Sequence, residues 1–325
     1  MAIEFTNTLV IGVSSRALFD LEQENQIYES GSVEEYRRYQ LENEQVVLGK
    51  GAAYYLVKAL LDLNKYADER LVEVIVMSKN SPDTGLRVLN SIRHYGLDIT
   101  RSAFSGGESL APFLKAFSVD LLLTRHTADV QLAIDAEDCA AAVIYDPPKD
   151  YLPDEEKIRF AFDADAVLFS EESEYIYKTE GLDRFKENEA LNEDVALKDG
   201  PFAKLVRMLS RIHQQIGSDK SPIKLSIVTA RNSPAHLRVI KTLRNWNVYV
   251  DQAFFLGGMS KKNVLQALRP HIFFDDQVTH VEPASKLVPS SQVLYKSTSP
   301  LRTLSAPTDD VDTEKKTSER ESKSA

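Results

Sequence analysis

The sequence predicts an α/β protein of two tandem units, each a mostly parallel sheet with a helical segment inserted over its strand ends. Three observations predict it. First, the chain repeats: Asn80-Ser81-Pro82 recurs as Asn232-Ser233-Pro234 at an offset of 152, and Leu86-Arg87-Val88, Arg93, Phe104 and Gly106-Gly107 return as Leu237-Arg238-Val239, Arg244, Phe255 and Gly257-Gly258 at an offset of 151. Second, within each copy short apolar runs alternate with stretches of helical periodicity, the pattern of βα units and a parallel sheet. Third, 43% of the 325 residues are hydrophobic and 27% charged, a balance that suits one large or two medium globular units.

The elements follow in order. In the first copy LVIGV (9 to 13) is a strand run, followed by an acidic, tyrosine-bearing helical insertion and then VEVIVM (72 to 77). A helix carrying Leu86, Leu89 and Ile92 leads to a third run before Gly106-Gly107, and VDLLLT (119 to 124) is the fourth. The second copy offers AVLFS (166 to 170), IKLSIVT (223 to 229), a helix with Leu237, Ile240 and Leu243, a run before Gly257-Gly258, and HIFFDD (271 to 276). The prolines of Asp146-Pro147-Pro148 and Leu152-Pro153 interrupt regular structure between them. The expected units are therefore residues 1–150 and 151–300, packed as a pseudo-dimer. Residues 301–325 hold almost nothing able to bury apolar area and are expected to be a disordered tail.

Composition also excludes function classes. A formal net charge of −10 is wrong for a general nucleic-acid binder, whose affinity rests on many cationic contacts to phosphates. No apolar stretch reaches the roughly 20 residues needed to span a bilayer, and the N-terminus shows no basic leader, so a soluble cytoplasmic protein is expected. The single cysteine, Cys139, can form neither an internal disulfide nor a thiolate metal site, and the six histidines show no metal spacing. Whether whole chains pair as a homo-oligomer is left open.

In open parallel sheets ligands bind beyond the carboxyl ends of the strands. In the second copy those ends carry Asp163 and Asp165, then Thr229, Ala230 and Arg231, then Lys261 and Lys262, then Asp275 and Asp276. The first copy has Val13 and Ser15, Met77 or Ser78, Leu110 and Ala111, and Thr124 and Arg125 at these places. Carboxylates present in one copy only are better explained by function than by folding. Such a group suits a bound Mg²⁺, which prefers hard oxygen ligands and would offset the mutual repulsion of Asp163, Asp165, Asp275 and Asp276. Asp163 can then attack phosphorus, Asp165 can exchange a proton with the leaving oxygen and the water, and Thr229 and the neighbouring amides can hold phosphoryl oxygens. One of Lys261 and Lys262 supplies a charge between nucleophile and phosphate, Lys261 being preferred.

The ordered set DxD, threonine, lysine, Asp-Asp resembles the four-motif order of the haloacid dehalogenase superfamily of phosphatases. More narrowly, VSSRALFD (13 to 20), FDADAVLFSEESE (162 to 174), GLDRF (181 to 185), VTAR (228 to 231) and RPHIFFDDQ (269 to 277) are similar to the cytosolic 5'-nucleotidase type I family over roughly residues 8 to 295. The resemblance implies two Rossmann-like, haloacid dehalogenase-like units with inserted cap segments. It also implies hydrolysis of nucleoside 5'-monophosphates, AMP-like, with Mg²⁺. Alternatives remain a phosphatase of another small phosphomonoester, or a nucleotide-sensing protein with residual activity. Gly106 and Gly107 serve either a tight turn or a phosphate cradle, and Ser15 and Arg16 stand where the first copy has lost its acids and could line a nucleotide pocket. Tyr36, Tyr39, Tyr175 and Tyr177 could stack on a base or pack between helices.

Overall fold

The computed structural model describes residue 5 and residues 7–304. Its strands are β1 (Leu9–Val13), β2 (Phe19–Asp20), β3 (Gly49–Lys50), β4 (Val72–Ser78), β5 (Arg101–Phe104), β6 (Leu121–Thr124) and β7 (Ala140–Ile144) in the first half. In the second half they are β8 (Ile158–Phe162), β9 (Ile223–Thr229), β10 (Gln252–Phe255), β11 (Ile272–Asp275) and β12 (Ser290–Gln292). Ten of them form one sheet in the order β10-β9-β8-β11-β12-β7-β6-β1-β4-β5, while β2 and β3 pair separately. Every neighbouring pair of the large sheet is parallel except β12 with β7, which run antiparallel with Ser291 opposite Ile144. The fold is thus α/β with one large, mostly parallel sheet. The expectation of two separate sheets is corrected: β7 and β12 pair with each other, so the strands of the two halves form one hydrogen-bonded sheet.

Two further expectations change. AVLFS is not a strand. The strand of that region is Ile158–Phe162, and residues Ala164–Leu168 form a single wide helical turn, with Ala166 at φ 57°. Asp163 therefore caps the end of β8 instead of leading into a strand. The helices Leu86–His94 and Ala235–Asn245 form and bury Ile92 and Leu243 as expected, but the other expected positions do not all face inward. Arg87, Val88, Ser91 and Ile92 are buried in one, and Arg238, Val239, Thr242 and Leu243 in the other, leaving Leu86, Leu237 and Ile240 exposed. The two arginines turn inward because each meets a buried acid and a backbone carbonyl: Arg87 with Glu24 at 2.6 Å and the Val46 carbonyl, Arg238 with Glu189 at 2.9 Å and the Val195 carbonyl.

Between the first and second strands of each half lies a helical stretch. In the second it is Glu172–Leu191, broken at Gly181, whose φ of 86° a side chain would strain. Beyond it Gly200 presses so close to Phe169 that a Cβ would lie 2.3 Å from its carbonyl oxygen. The core beneath is aromatic: Phe162 stacks on Phe274 at 5.4 Å, and Phe202 closes on Phe274 at 4.7 Å. Each such buried ring removes apolar surface worth roughly 1.5–3 kcal/mol.

Residues 145–157 carry no helix or strand, where a boundary was placed. Leu301–Leu304 form a helical turn with Leu301 buried, so described structure extends into the segment expected as a tail; residues 305–325 lie outside the described residues. No helix among the described residues is long and apolar enough to cross a membrane. Cys139 is buried and free, its thiol pushed up to about 12 by burial.

His271 gives the fold a measurable pH dependence. It is buried where β11 begins, its backbone N–H donates to Arg159 O at 2.7 Å, and its Nδ1 accepts from Arg159 N–H. Burial pushes the imidazole down to about 4. The unfolded chain therefore binds a proton that the fold refuses, and stability present above the ordinary histidine range is lost as pH falls through it. Urea unfolding at pH 4.5 should show a loss of about 2.5 kcal/mol, relative to pH 7.5, that His271→Asn removes, since Asn keeps an acceptor without titrating. Equal pH dependence in both proteins would count against it.

Candidate active site

The fourth strand of the second half, β11, lies beside the first, β8, and their C-terminal ends bring Asp163 and Asp275 together. Strand order reverses between them, since β8 is followed on one side by β9 and on the other by β11, and such switch points open a crevice. Asp163 follows the last residue of β8, its N–H donating to Phe274 O at 2.8 Å. Asp275 ends β11, and Asp276 follows it. Carboxylate oxygens of Asp163, Asp275 and Asp276 lie within 4.8 Å of one another, all three residues buried.

Lys261 is the cation of this group. Its ammonium lies 2.9 Å from Asp163 Oδ1 and 2.7 Å from Asp275 Oδ2, and the residue is buried, whereas Lys262 is exposed. Asp275 also accepts from the Gln277 amide at 2.9 Å and stands 3.2 Å from His280 Nδ1. Asp276 accepts a short hydrogen bond from the Tyr295 hydroxyl.

The electrostatics of the cluster are short of positive charge. Burial pushes the Asp163 carboxyl up to about 6, with Lys261 opposing and Asp275 and Asp165 adding to the rise. Asp276 is held well above the usual carboxylate range by burial and then by Asp275 and Asp163. Burial alone would raise Asp275 too, but Lys261 and His280 outweigh it and hold it low. The ammonium of Lys261 is raised because Asp163 and Asp275 together outweigh its own burial. Asp276 Oδ1 is buried with no hydrogen-bond partner, while Asp163 Oδ1 meets the Lys261 ammonium. Buried oxygens are ordinarily paired, so this one, in a cluster of three carboxylates and one ammonium, fits a site for a divalent cation.

Asp165, expected as a fourth ligand, stands elsewhere. Both of its oxygens accept from Arg231, from Nε at 2.8 Å and Nη2 at 2.6 Å. The bidentate pair engages both of its oxygens, and Asp165 is not among the carboxylates that cluster. Arg231 is itself buried, its second arm donating to Glu189 at 2.5 Å, and Glu189 also takes Arg238. The Arg231 guanidinium is raised: burial would lower it, but Asp165 and Glu189 outweigh that. Thr229 ends β9 and is buried; its Oγ1 accepts the Arg231 N–H at 3.3 Å, which leaves the hydroxyl proton for another acceptor. Ala230 is exposed between them.

The remaining candidates lie in the other half. Ser15 Oγ is 3.0 Å from Ser78 Oγ, and Arg16 pairs with Glu22. Gly106 and Gly107 sit nearby, but their N–H groups already donate to Asn80 O and Lys79 O, so the glycine pair serves the turn and has no amide to offer a phosphate. Tyr36 donates to Asn80, Tyr39 underlies Arg87, and Tyr175 and Tyr177 are exposed.

Sequence reasoning missed Glu174, Glu189, Gln277, His280 and Tyr295. Glu174 closes the quoted run FDADAVLFSEESE, and accepts from Gln277 Nε2 at 3.1 Å. Glu189 hides in an acidic helix whose other charges are mostly solvated, and Tyr295 has no sequence signal at all.

A model of the 5'-nucleotidase family matches residues 1–300. Human cytosolic 5'-nucleotidase 1B is 39% identical over 292 residues, covering 86% of this chain and 48% of that protein. The chain thus spans about half the length of this curated relative. No solved structure matches. The family match runs through the β8, β9 and β11 ends that carry the acidic cluster, and the chain belongs to the 5'-nucleotidase family.

Proposed function

We propose that this chain hydrolyses nucleoside 5'-monophosphates, AMP-like, to nucleoside and phosphate, with Asp163 as nucleophile and Mg²⁺ as cofactor. The observation that carries the reading is the buried contact of Lys261 with both Asp163 and Asp275 beside the orphaned Oδ1 of Asp276. Family membership and the printed name of the human relative supply the substrate class and the cytoplasmic location.

Asp163, Asp275 and Asp276 would hold the metal, which when bound supplies positive charge to the phosphoryl oxygens. Lys261 keeps Asp163 ionised and draws the phosphate toward it. Attack by the free carboxylate oxygen forms a phosphoaspartate as the bond to the 5'-oxygen breaks, and Asp165 gives that oxygen its proton. Water then returns a proton to Asp165 and attacks phosphorus, releasing phosphate and restoring Asp163. Because both Asp165 oxygens are engaged, Arg231 must yield one of them before this proton transfer. Thr229 would donate its free hydroxyl to a phosphoryl oxygen.

We also read residues 1–150 and 151–300 as two related units. Support comes from the identical strand order on either side of the β7–β12 seam and from paired contacts. Leu48 N–H to Ser91 Oγ recurs as Leu197 N–H to Thr242 Oγ1, and Gly51 N–H to Leu18 O as Gly200 N–H to Leu168 O.

Phosphate release from a panel of nucleoside monophosphates, a sugar phosphate and an aryl phosphate tests the activity. A nucleoside monophosphate should have the highest kcat/KM, with rates falling to background in EDTA and returning with Mg²⁺. A folded preparation inert toward every nucleotide in Mg²⁺ would refute the proposal, and a preferred sugar phosphate would change the substrate.

A further inference from the structure

We infer that the first half holds a second binding site, for the phosphate of a phosphorylated small molecule, that works without a metal. A cavity of about 500 Å³ opens at the ends of β1, β4 and β6, where Ser14, Ser78 and Thr124 line it. These are the counterparts of the strand ends that carry Asp163, Thr229 and Asp275. The volume suits a nucleotide-sized ligand.

Two side-chain donors in its lining, Arg16 Nε and Asn80 Nδ2, are buried with no hydrogen-bond partner. Tyr36 accepts from Gln40 Nε2 and donates to Asn80 Oδ1, each at 2.9 Å, which leaves the Asn80 amide nitrogen as the unpaired end. Around them hydroxyls serve as acceptors for the backbone: Ser14 Oγ takes Ala17 N–H and Thr124 Oγ1 takes His126 N–H. Their own protons remain for an oxygen-rich ligand. Lys79 and Arg37, also in the lining, add cationic side chains to that of Arg16, Lys79 paired with buried Asp129 at 3.0 Å and Arg37 with Asp83, and the one buried acid of the lining, Glu24, is committed to Arg87 at 2.6 Å. The acids that would hold a metal are replaced by Ser14, Thr124 and Arg125, so the ligand's charge meets protein cations and donors directly. Over this polar floor stand Tyr28 and Tyr36, edge to face at 5.5 Å, with Tyr28 54% exposed and able to take a base or another planar group.

Binding is measured on the full chain in the Asp163→Asn background, which blocks turnover, by equilibrium dialysis with EDTA present and AMP or orthophosphate as probe. Metal-free binding of AMP is expected. Asn80→Asp should weaken it at least tenfold, because the change keeps the acceptor for Tyr36 and turns the unpaired donor into a repelling charge. Arg16→Met, at a part-exposed side chain, should do the same and carries the test where Asn80→Asp fails to fold by circular dichroism. Lys261→Met should leave it unchanged. Competition by orthophosphate at equal concentration would assign the site to the free anion, and its failure to the nucleotide. Absence of metal-free binding by both probes overturns the inference, as does binding insensitive to Asn80→Asp and Arg16→Met but lost with Lys261→Met. Because no turnover is read, a chain inactive as a nucleotidase leaves the result interpretable.

Discussion

Asp163→Asn is expected to lower phosphate release from the preferred monophosphate by at least about 10⁴-fold, since losing a covalent nucleophile typically removes most of the chemical acceleration. The same change should not harm the fold. The carboxyl of Asp163 is pushed up to about 6, so its charge is disfavoured in the folded state above that pH. A folded-state carboxyl raised in this way binds a proton that the unfolded chain has released, and stability falls as pH rises from the ordinary carboxylate range to about 6. At pH 7.5 without metal, Asn should therefore leave stability unchanged or raise it by up to about 3 kcal/mol. Initial rates and urea midpoints in EDTA, measured on the same preparations, separate the two effects. A loss of activity that merely tracks unfolding would assign Asp163 a structural role.

Glu189→Gln carries the largest expected cost to stability. Glu189 is buried completely and accepts from two buried guanidinium groups, those of Arg231 and Arg238. The amide keeps one acceptor but removes the charge that both arginines share, and it points donors at cations. Breaking a buried ion pair by neutralising one partner costs about 3–5 kcal/mol, which should appear as a lower denaturant midpoint at unchanged m-value. Activity should fall in addition, because Arg231 holds Asp165 by both oxygens. A variant as stable as the parent would show that the two arginines find other partners.

The strands that the chain's hydrophobic runs announce are those whose register the structure bears out. VEVIVM and IKLSIVT are fully or nearly fully buried in β4 and β9, and a strand covered on both faces buries even the polar Glu73 and Ser226 that interrupt the two runs. AVLFS misled for a physical reason. It is as apolar as a strand, but a turn buried against Trp246 and Phe202 has the same composition. The inward helix faces misled because arginine reads as solvent-exposed until its buried partner is known. At the site, aspartates, threonine and lysine were legible from type and order, while their supports were not. Glu189 and Tyr295 reach Arg231 and Asp276 from segments whose local sequence carries no trace of the contact.

By itself the sequence determined the repeated motifs, the alternation of strands and helices, and the confinement of the strand-end aspartates to one half, because these are properties of neighbouring residues and of spacing along the chain. Only the tertiary structure decided that the halves share one sheet. The strands that join them, AAAVI in β7 and SSQ in β12, are short and chemically plain, and their pairing follows from which edges remain free once the rest has folded. It likewise decided that Asp165 answers to Arg231 and not to the other carboxylates. Competition among buried charges for partners is settled by distance in space, and distance in space is what a linear order of residues leaves unstated.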